Sequence, residues 1–285
     1  MKKYILSLIL FTLFISTSKA ETITLSGPWS PTGSFQKIIR LIVSDMENKG
    51  WKFDVKITGN PLLSKTNAES SSTPYILTWG IEINSKKSDT FYLAPPSKSN
   101  YVGMTHISNQ FLCGKKGLTL SDLKNKNKIY KIGVGVDPML VNWLTDFVNY
   151  LGVKHTIIKY KGSTKSSNAL LSGELDFVLN SNGAKMHKKG QADCLLVPSS
   201  DSVIGIPTVK SKFPKFSQPV MYNAMYWQVY NMDSASLKKL REDFSEALKN
   251  KELRKMLSDR YAGEIKISLD DQLKIISFYD SRLTN

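Results

Sequence analysis

Phe35, Ile38, Ile39, Ile42, Val43 and Met46 recur at three- and four-residue spacing and stop short of Gly50. That is the buried face of an amphipathic helix closed by a glycine cap. Leu140, Leu144, Phe147, Val148 and Leu151 repeat the pattern up to Gly152. This second helix follows a strand-like run over 129–136 that ends in Gly135-Val136-Asp137-Pro138. Asp137 suits the cap and Pro138 the first turn. Runs rich in β-branched and aromatic residues at 22–25, 51–57, 75–79, 91–94, 102–113, 155–160, 175–180, 192–197 and 224–230 read as strands between polar turns. Short helices are expected at 166–172 and 184–189. Three longer ones close the chain at 234–249, 252–261 and 270–283, the last with Ser268 and Asp271 placed as a capping box. Residues 199–220 carry Pro207, Pro214 and Pro219 without periodicity and read as an irregular connection. Strands alternating with helices predict an α/β fold, a mostly parallel sheet covered by helices.

The winding starts afresh near Leu118, which predicts two lobes: 21–117 with 229–285, and 118–228. Crossing strands would join them, with hinges near 114–118 and 226–232, and leave a cleft between domains of the kind small ligands use. Residues 1–20 stand apart. Lys2 and Lys3, an apolar run over 4–15 and small residues ending at Ala20 have the form of a cleaved secretory signal peptide. No other segment is apolar for long enough to suggest a membrane span. Position 21 is Glu rather than the Cys a lipid anchor would need.

The formal charge is +15, and residues 1–20 contribute Lys2, Lys3, Lys19 and no acid, so the remainder carries +12. Its lysines are scattered, with no basic stripe interleaved with aromatics, so nucleic acid is not an expected partner. Hydrophobic residues make up 41% of the chain, enough for a real core. Cys113 and Cys194 are the two cysteines. In an exported protein they either form a disulfide or remain two small buried thiols. They have no metal-ligand spacing, and His106, His155 and His187 are dispersed, so no metal or other cofactor is expected.

Among enzyme motifs, a Ser-x-x-Lys spacing occurs at Ser34–Lys37 and recurs at Ser121–Lys124 and Ser236–Lys239, as a lysine-rich chain would produce. A Gly-x-Ser-x-Gly elbow, a His-Glu-x-x-His helix and a phosphate-binding loop are all absent from the sequence. The chain is therefore not expected to be an enzyme. An exported hydrolase with dispersed catalytic groups and a basic polyanion-binding protein are the alternatives.

Tyr160-Lys161-Gly162, then Leu170-Leu171-Ser172-Gly173-Glu174-Leu175-Asp176, then the loop at Asn180 follow one another in a characteristic order. Ser30-Pro31-Thr32-Gly33-Ser34 after the first strand, Pro74-Tyr75 leading to Gly80, residues 118–123 and Ile206-Pro207-Thr208-Val209 extend that order over most of the chain. The pattern resembles the tripartite tricarboxylate transporter receptors, the Bug-type extracytoplasmic solute receptors. Two departures stand out: Gln36 where many members carry aspartate, and a mostly polar stretch at 60–73 in place of a glycine-rich one.

The resemblance implies a type II periplasmic-binding-protein fold with a ligand cleft between lobes. It also implies a periplasmic, monomeric protein that holds a small organic acid for a two-subunit membrane permease. Two strand-to-helix turns, one per lobe, would present backbone N–H groups to a carboxylate. The site residues it points to are Pro31, Thr32, Gly33, Ser34 and Phe35 on the first turn and Gly135, Val136, Asp137 and Met139 on the second. Trp79 and Gly80 at a strand end and Asn180 and Ser181 at a loop complete the set. For each, capping, packing or turn chemistry is the alternative reading. Asp137 in particular either fills the N–H groups of its own helix or accepts from a ligand donor.

Overall fold

The computed structural model describes residues 21–29, 31, 33–80, 95–135, 138–199, 202–217, 222–259, 262–263 and 268–283. The signal-peptide expectation and the strand expected at 91–94 lie outside them, as do Thr32, Val136 and Asp137.

The strands are β1 (Thr22–Gly27), β2 (Lys52–Ile57), β3 (Tyr75–Gly80), β4 (Tyr101–Asn109), β5 (Phe111–Lys115), β6 (Ile129–Gly135), β7 (Lys154–Tyr160), β8 (Phe177–Asn180), β9 (Ala192–Leu196), β10 (Tyr222–Tyr230) and β11 (Ala262–Gly263). The helices are α1 (Ser34–Glu47), α2 (Pro61–Ser70), α3 (Leu120–Leu123), α4 (Pro138–Leu151), α5 (Ser163–Leu171), α6 (Gly183–Lys188), α7 (Val209–Lys212), α8 (Ser234–Ala247), α9 (Lys251–Ser258) and α10 (Leu269–Leu283). They form two sheets, ordered β11-β4-β10-β3-β1-β2 and β7-β6-β8-β5-β9.

Strand directions fix where the cleft must be. β1 runs parallel to β2 and β3, and β10 is antiparallel to both β3 and β4, so β4 runs with β1 to β3. In the second sheet β6 is parallel to β7 and β8, and β5 is antiparallel to β8 and β9, so β9 runs with β6 to β8. The chain passes from the carboxyl end of β4 to the amino end of β5 through one residue, Gln110, which is 1% exposed. Phe111, first in β5, pairs with Asn180, last in β8. The carboxyl ends of the parallel strands of both sheets therefore meet around Gln110, the edge at which open α/β sheets hold ligands.

Three apolar clusters support this frame. One packs α1, α8 and α9 on the first sheet through Ile38, Ile39, Ile42, Leu240, Phe244 and Leu253. A second covers one face of the other sheet with Ala169, Leu170, Ala184 and Met186. The third is continuous between lobes, running from Leu77, Met104 and Tyr226 to Leu112, Phe177 and Leu196 and on to Trp143 and Phe147 of α4.

The single strand expected over 102–113 is two strands in different sheets. The break was invisible because β4 and β5 are buried along almost their whole length, with no polar turn between them. Lobe boundaries were expected at 117/118 and 228/229. β5 pairs only within the second sheet and β10 only within the first, so the crossings fall at Gln110 and in the segment after β9. Of the segments expected to hinge, 114–118 is strand only at Gly114 and Lys115, and 226–232 is strand as far as Tyr230, with β10 paired on both sides up to Gln228. The polar stretch at 60–73 contains α2, capped by Asn60 and opened by Pro61. Only Ser64 and Ala68 of that helix are buried, which leaves no apolar stripe to read.

Candidate functional site

The first-lobe turn is built from Gly27 outward. A Cβ on Gly27 would stand 2.1 Å from the Thr78 hydroxyl and 2.8 Å from the Trp29 ring, so only glycine lets these elements meet. Trp29 then donates its indole N–H to Thr78 Oγ1 at 3.0 Å, and that hydroxyl donates to the Ser26 carbonyl at 3.0 Å. The Trp29 ring packs on Phe35, with centroids 4.3 Å apart, and Phe35 lies 5.7 Å from the ring of buried His106. These contacts set the start of α1. Its cap is Gly33, at φ −75° and ψ 167°, which has no side chain to occupy the first-turn N–H groups. Pro31 is exposed beside it.

His106 Nδ1 lies 2.7 Å from Thr105 Oγ1, a hydroxyl that is also 3.2 Å from the Met225 carbonyl. Trp79 is fully buried, opposite Tyr226, and its indole N–H has no partner among the described residues. Gly80 ends β3 at the cleft edge, paired with Met225.

In the second lobe Gly135 ends β6 beside Tyr160, the last residue of β7. The side chains of Ser34, Pro138 and Met139 are not among those described, so the α4 start rests on its backbone position alone. The better-defined feature is the start of α5, which sequence reasoning passed over. Gly162 caps it at φ 98° and ψ 151°, a conformation that favours glycine. It too offers no side-chain cap, and exposed Lys161 and Lys165 flank it. Tyr160-Lys161-Gly162 was noted as a motif, and a glycine directly before a helix was the signal available.

Asn180 holds this turn in place. Its Nδ2 donates to Ser166 Oγ at 3.0 Å, Ser167 Oγ at 3.1 Å and the Ser163 carbonyl at 3.3 Å, while its Oδ1 accepts from Asn182 N at 3.0 Å. The side chain is 2% exposed, and both its amide nitrogen and its oxygen are bonded within the protein. Ser181 is half-buried and shares a 3.2 Å hydroxyl contact with Ser163. Tyr160 donates to Glu174 Oε1 at 2.7 Å, and desolvation with that carboxylate pushes the phenol up to about 12. This bond ties together two of the sequence motifs.

Cys113 and Cys194 face each other on β5 and β9 and are joined by a disulfide. Among the described residues no group of His, Cys, Asp and Glu could hold a metal ion, and no helix is long and apolar enough to cross a membrane.

Helix caps are of two kinds, and α2, which also begins past the carboxyl end of a parallel strand, β2, is of the side-chain-capped kind. α2, α3, α7, α8 and α9 are capped by the side chains of Asn60, Thr119, Thr208, Asp233 and Asn250. The glycine-capped helices α1 and α5 both begin at the cleft edge, one in each lobe. Open first-turn donors at the positive end of a helix suit an anion.

No family model and no curated protein sequence matches the chain. Solved structures do. The periplasmic binding protein BugD superposes with a TM-score of 0.74 at 15% identity, over 92% of this chain and 95% of its own. MatC from Rhodopseudomonas palustris with bound malate gives 0.73 at 16% identity, over 92% and 97%. A second R. palustris protein, with adipate, gives 0.74 at 15% identity, over 92% and 94%. The chain thus has the two-lobed α/β fold of these periplasmic solute-binding proteins.

Proposed function

We propose that this protein is an extracytoplasmic receptor that closes on a small dicarboxylate and delivers it to a membrane transporter, without turning it over. The observation that carries this reading is the pair of glycine-capped helix starts, Gly33 in one lobe and Gly162 in the other, each following the carboxyl end of a parallel strand. Each can seat one carboxylate on backbone N–H groups, and a molecule with two carboxylates links the lobes. The malate and adipate held by two proteins of the same fold are of that class. Phe35 and Trp29 supply an apolar wall beside the first seat, and Ser181 and Ser163 supply hydroxyls beside the second.

Export agrees with the disulfide, which persists in an oxidising compartment. On this reading residues 1–20 are the export signal, the working form is a monomer, and the partner is a two-subunit permease, as the sequence resemblance implies.

The test is a thermal-shift screen of the purified protein against malate, succinate, adipate, aromatic acids and uncharged controls. Ligand at a hundredfold excess over Kd adds about 2.7 kcal/mol to stability. Gly33→Asp is the decisive variant, because its carboxylate would fill the seat. Stability should hold or rise by up to about 1 kcal/mol while the dicarboxylate shift disappears. An unchanged shift in Gly33→Asp, or none with any acid in the parent protein, would overturn the proposal.

A further inference from the structure

The disulfide lies directly under the second-lobe turn. Cys113 is three residues past the crossing at Gln110, and Cys194 is two before the end of β9, the strand from which the chain returns to the first lobe. Above them α6 begins at Gly183. A Cβ there would come 2.6 Å from Cys113 Sγ and 2.3 Å from Phe111 Cβ, so the helix backbone sits on the sulfur itself. Phe111 pairs with Asn180, whose side chain holds Ser163, Ser166, Ser167 and the amide of Asn182. On the far side Cys194 N donates to His187 Nδ1 at 3.3 Å, tying the last turn of α6 to β9.

We infer that the Cys113–Cys194 disulfide is the positioning element for the cleft turn at 180–183, so that ligand capture fails when the bond is reduced. A dithiol reductant would cleave it by thiol–disulfide exchange. Two electrons and two protons pass to Cys113 and Cys194, and the dithiol closes into its own cyclic disulfide. Two unbonded sulfurs stand roughly 1.5 Å further apart than a bonded pair. Cys113 is fully buried with α6 seated on it, so the displacement passes into the turn. Asn180 carries it to the start of α5. The binding consequence rests on the carboxylate reading above, whereas the displacement of the turn does not.

The experiment compares the full chain as it stands, the same protein reduced with dithiothreitol, and Cys113→Ala/Cys194→Ala. Amide hydrogen exchange without ligand is read first. Protection of the Asn182 amide and of 183–188 should fall at least tenfold, with α1 and α8 in the first lobe unchanged. Binding of malate and adipate by calorimetry is read second and should weaken at least tenfold. Ile38→Val, which loosens only the first-lobe core, should leave both readouts alone. Unchanged exchange at 182–188, or loss spread evenly over both lobes, would overturn the inference, as would global unfolding on reduction. Should neither acid bind the oxidised protein, the carboxylate reading falls and the exchange comparison still decides the role of the disulfide.

Discussion

Truncating Asn180 to alanine separates a residue that touches ligand from one that builds the turn. The change deletes two good neutral hydrogen bonds, to Ser166 Oγ and Ser167 Oγ, and the acceptor of the Asn182 N–H. Each neutral bond contributes about 1 kcal/mol net, and a buried N–H left without a partner costs about 1–3 kcal/mol. The serines lose less than they might, because Ser166 and Ser167 keep their own donations to the Ser163 carbonyl at 3.1 and 2.7 Å. Asn182 is half-buried and partly rehydrates, so the sum comes to about 3 kcal/mol. For a chain of this size that lowers Tm by roughly 6–12 °C. Urea unfolding should show the same loss as a lower midpoint at constant m. Asn180→Asp should be no better. It keeps an acceptor for Asn182 but turns a donor into a negative oxygen facing the Ser163 carbonyl. A Tm within about 1 °C of the parent for Asn180→Ala, with ligand binding abolished, would refute this reasoning and return Asn180 to the list of ligand contacts.

Asp176 accepts from the Lys131 N–H at 3.0 Å and from Lys128 Nζ at 3.1 Å, with Lys115 Nζ 3.7 Å away. Partial burial pushes its carboxyl up, but these donors and charges outweigh it and hold the group below the usual range. A depressed folded value means the stabilisation is present above about pH 4 and lost as pH falls through the folded value. Asp176→Asn should therefore cost about 1–2 kcal/mol at pH 7, at the low end because both lysines reach solvent, and progressively less in matched melts as pH falls below about 4. Gly27→Ala should cost about 2–4 kcal/mol, since its methyl displaces Thr78 and breaks the Trp29 bond, and the indole fluorescence of Trp29 should shift with it. Trp51 donates to Asp243 Oδ2 at 2.8 Å, tying the edge of the first sheet to α8, so Trp51→Phe should lose about 1.5–3 kcal/mol by urea unfolding.

Helices with a one-sided apolar stripe were legible in the sequence because their partners are simply whatever is apolar. Ile38, Ile39, Ile42 and Met46 of α1 and Leu144, Phe147 and Val148 of α4 are all buried, and Gly50 and Gly152 take the left-handed φ of 92° and 67° that a C-terminal cap uses. Sheet membership was not legible. β4 and β5 read as one run because residue type reports burial, and both strands are buried on two faces whichever sheet they join. The role of Asn180 was hidden for a related reason. Its partners Ser163, Ser166 and Ser167 lie 13 to 17 positions upstream, and only the crossing from β7 to β8 brings them together. An asparagine in a loop after a strand looks the same whether it faces solvent, ligand or its own fold.

The two glycine caps differ in what they reveal about selection at the site. Gly162 has φ 98°, so its backbone alone favours glycine, and a missing side-chain cap there follows from the turn. Gly33 has φ −75° and ψ 167°, an extended conformation open to every residue and close to the one in which Thr208 and Asp233 cap helices elsewhere in this chain. Asp233 caps α8 from φ −70° and ψ 161° and accepts from both Ala235 N and Ser236 N at 2.9 Å. Two nearly identical backbone conformations thus carry a capping carboxylate in one helix and a bare glycine in the other. Fold stability alone favours the capped version by a few tenths of a kcal/mol, plus about 0.3–1 kcal/mol from the helix dipole. α8 begins beyond the end of β10 on the opposite edge of the sheet, whereas α1 begins at the cleft edge. On the proposed function, a seat kept open for an external carboxylate accounts for that difference, and Gly33→Asp is the variant that tests it.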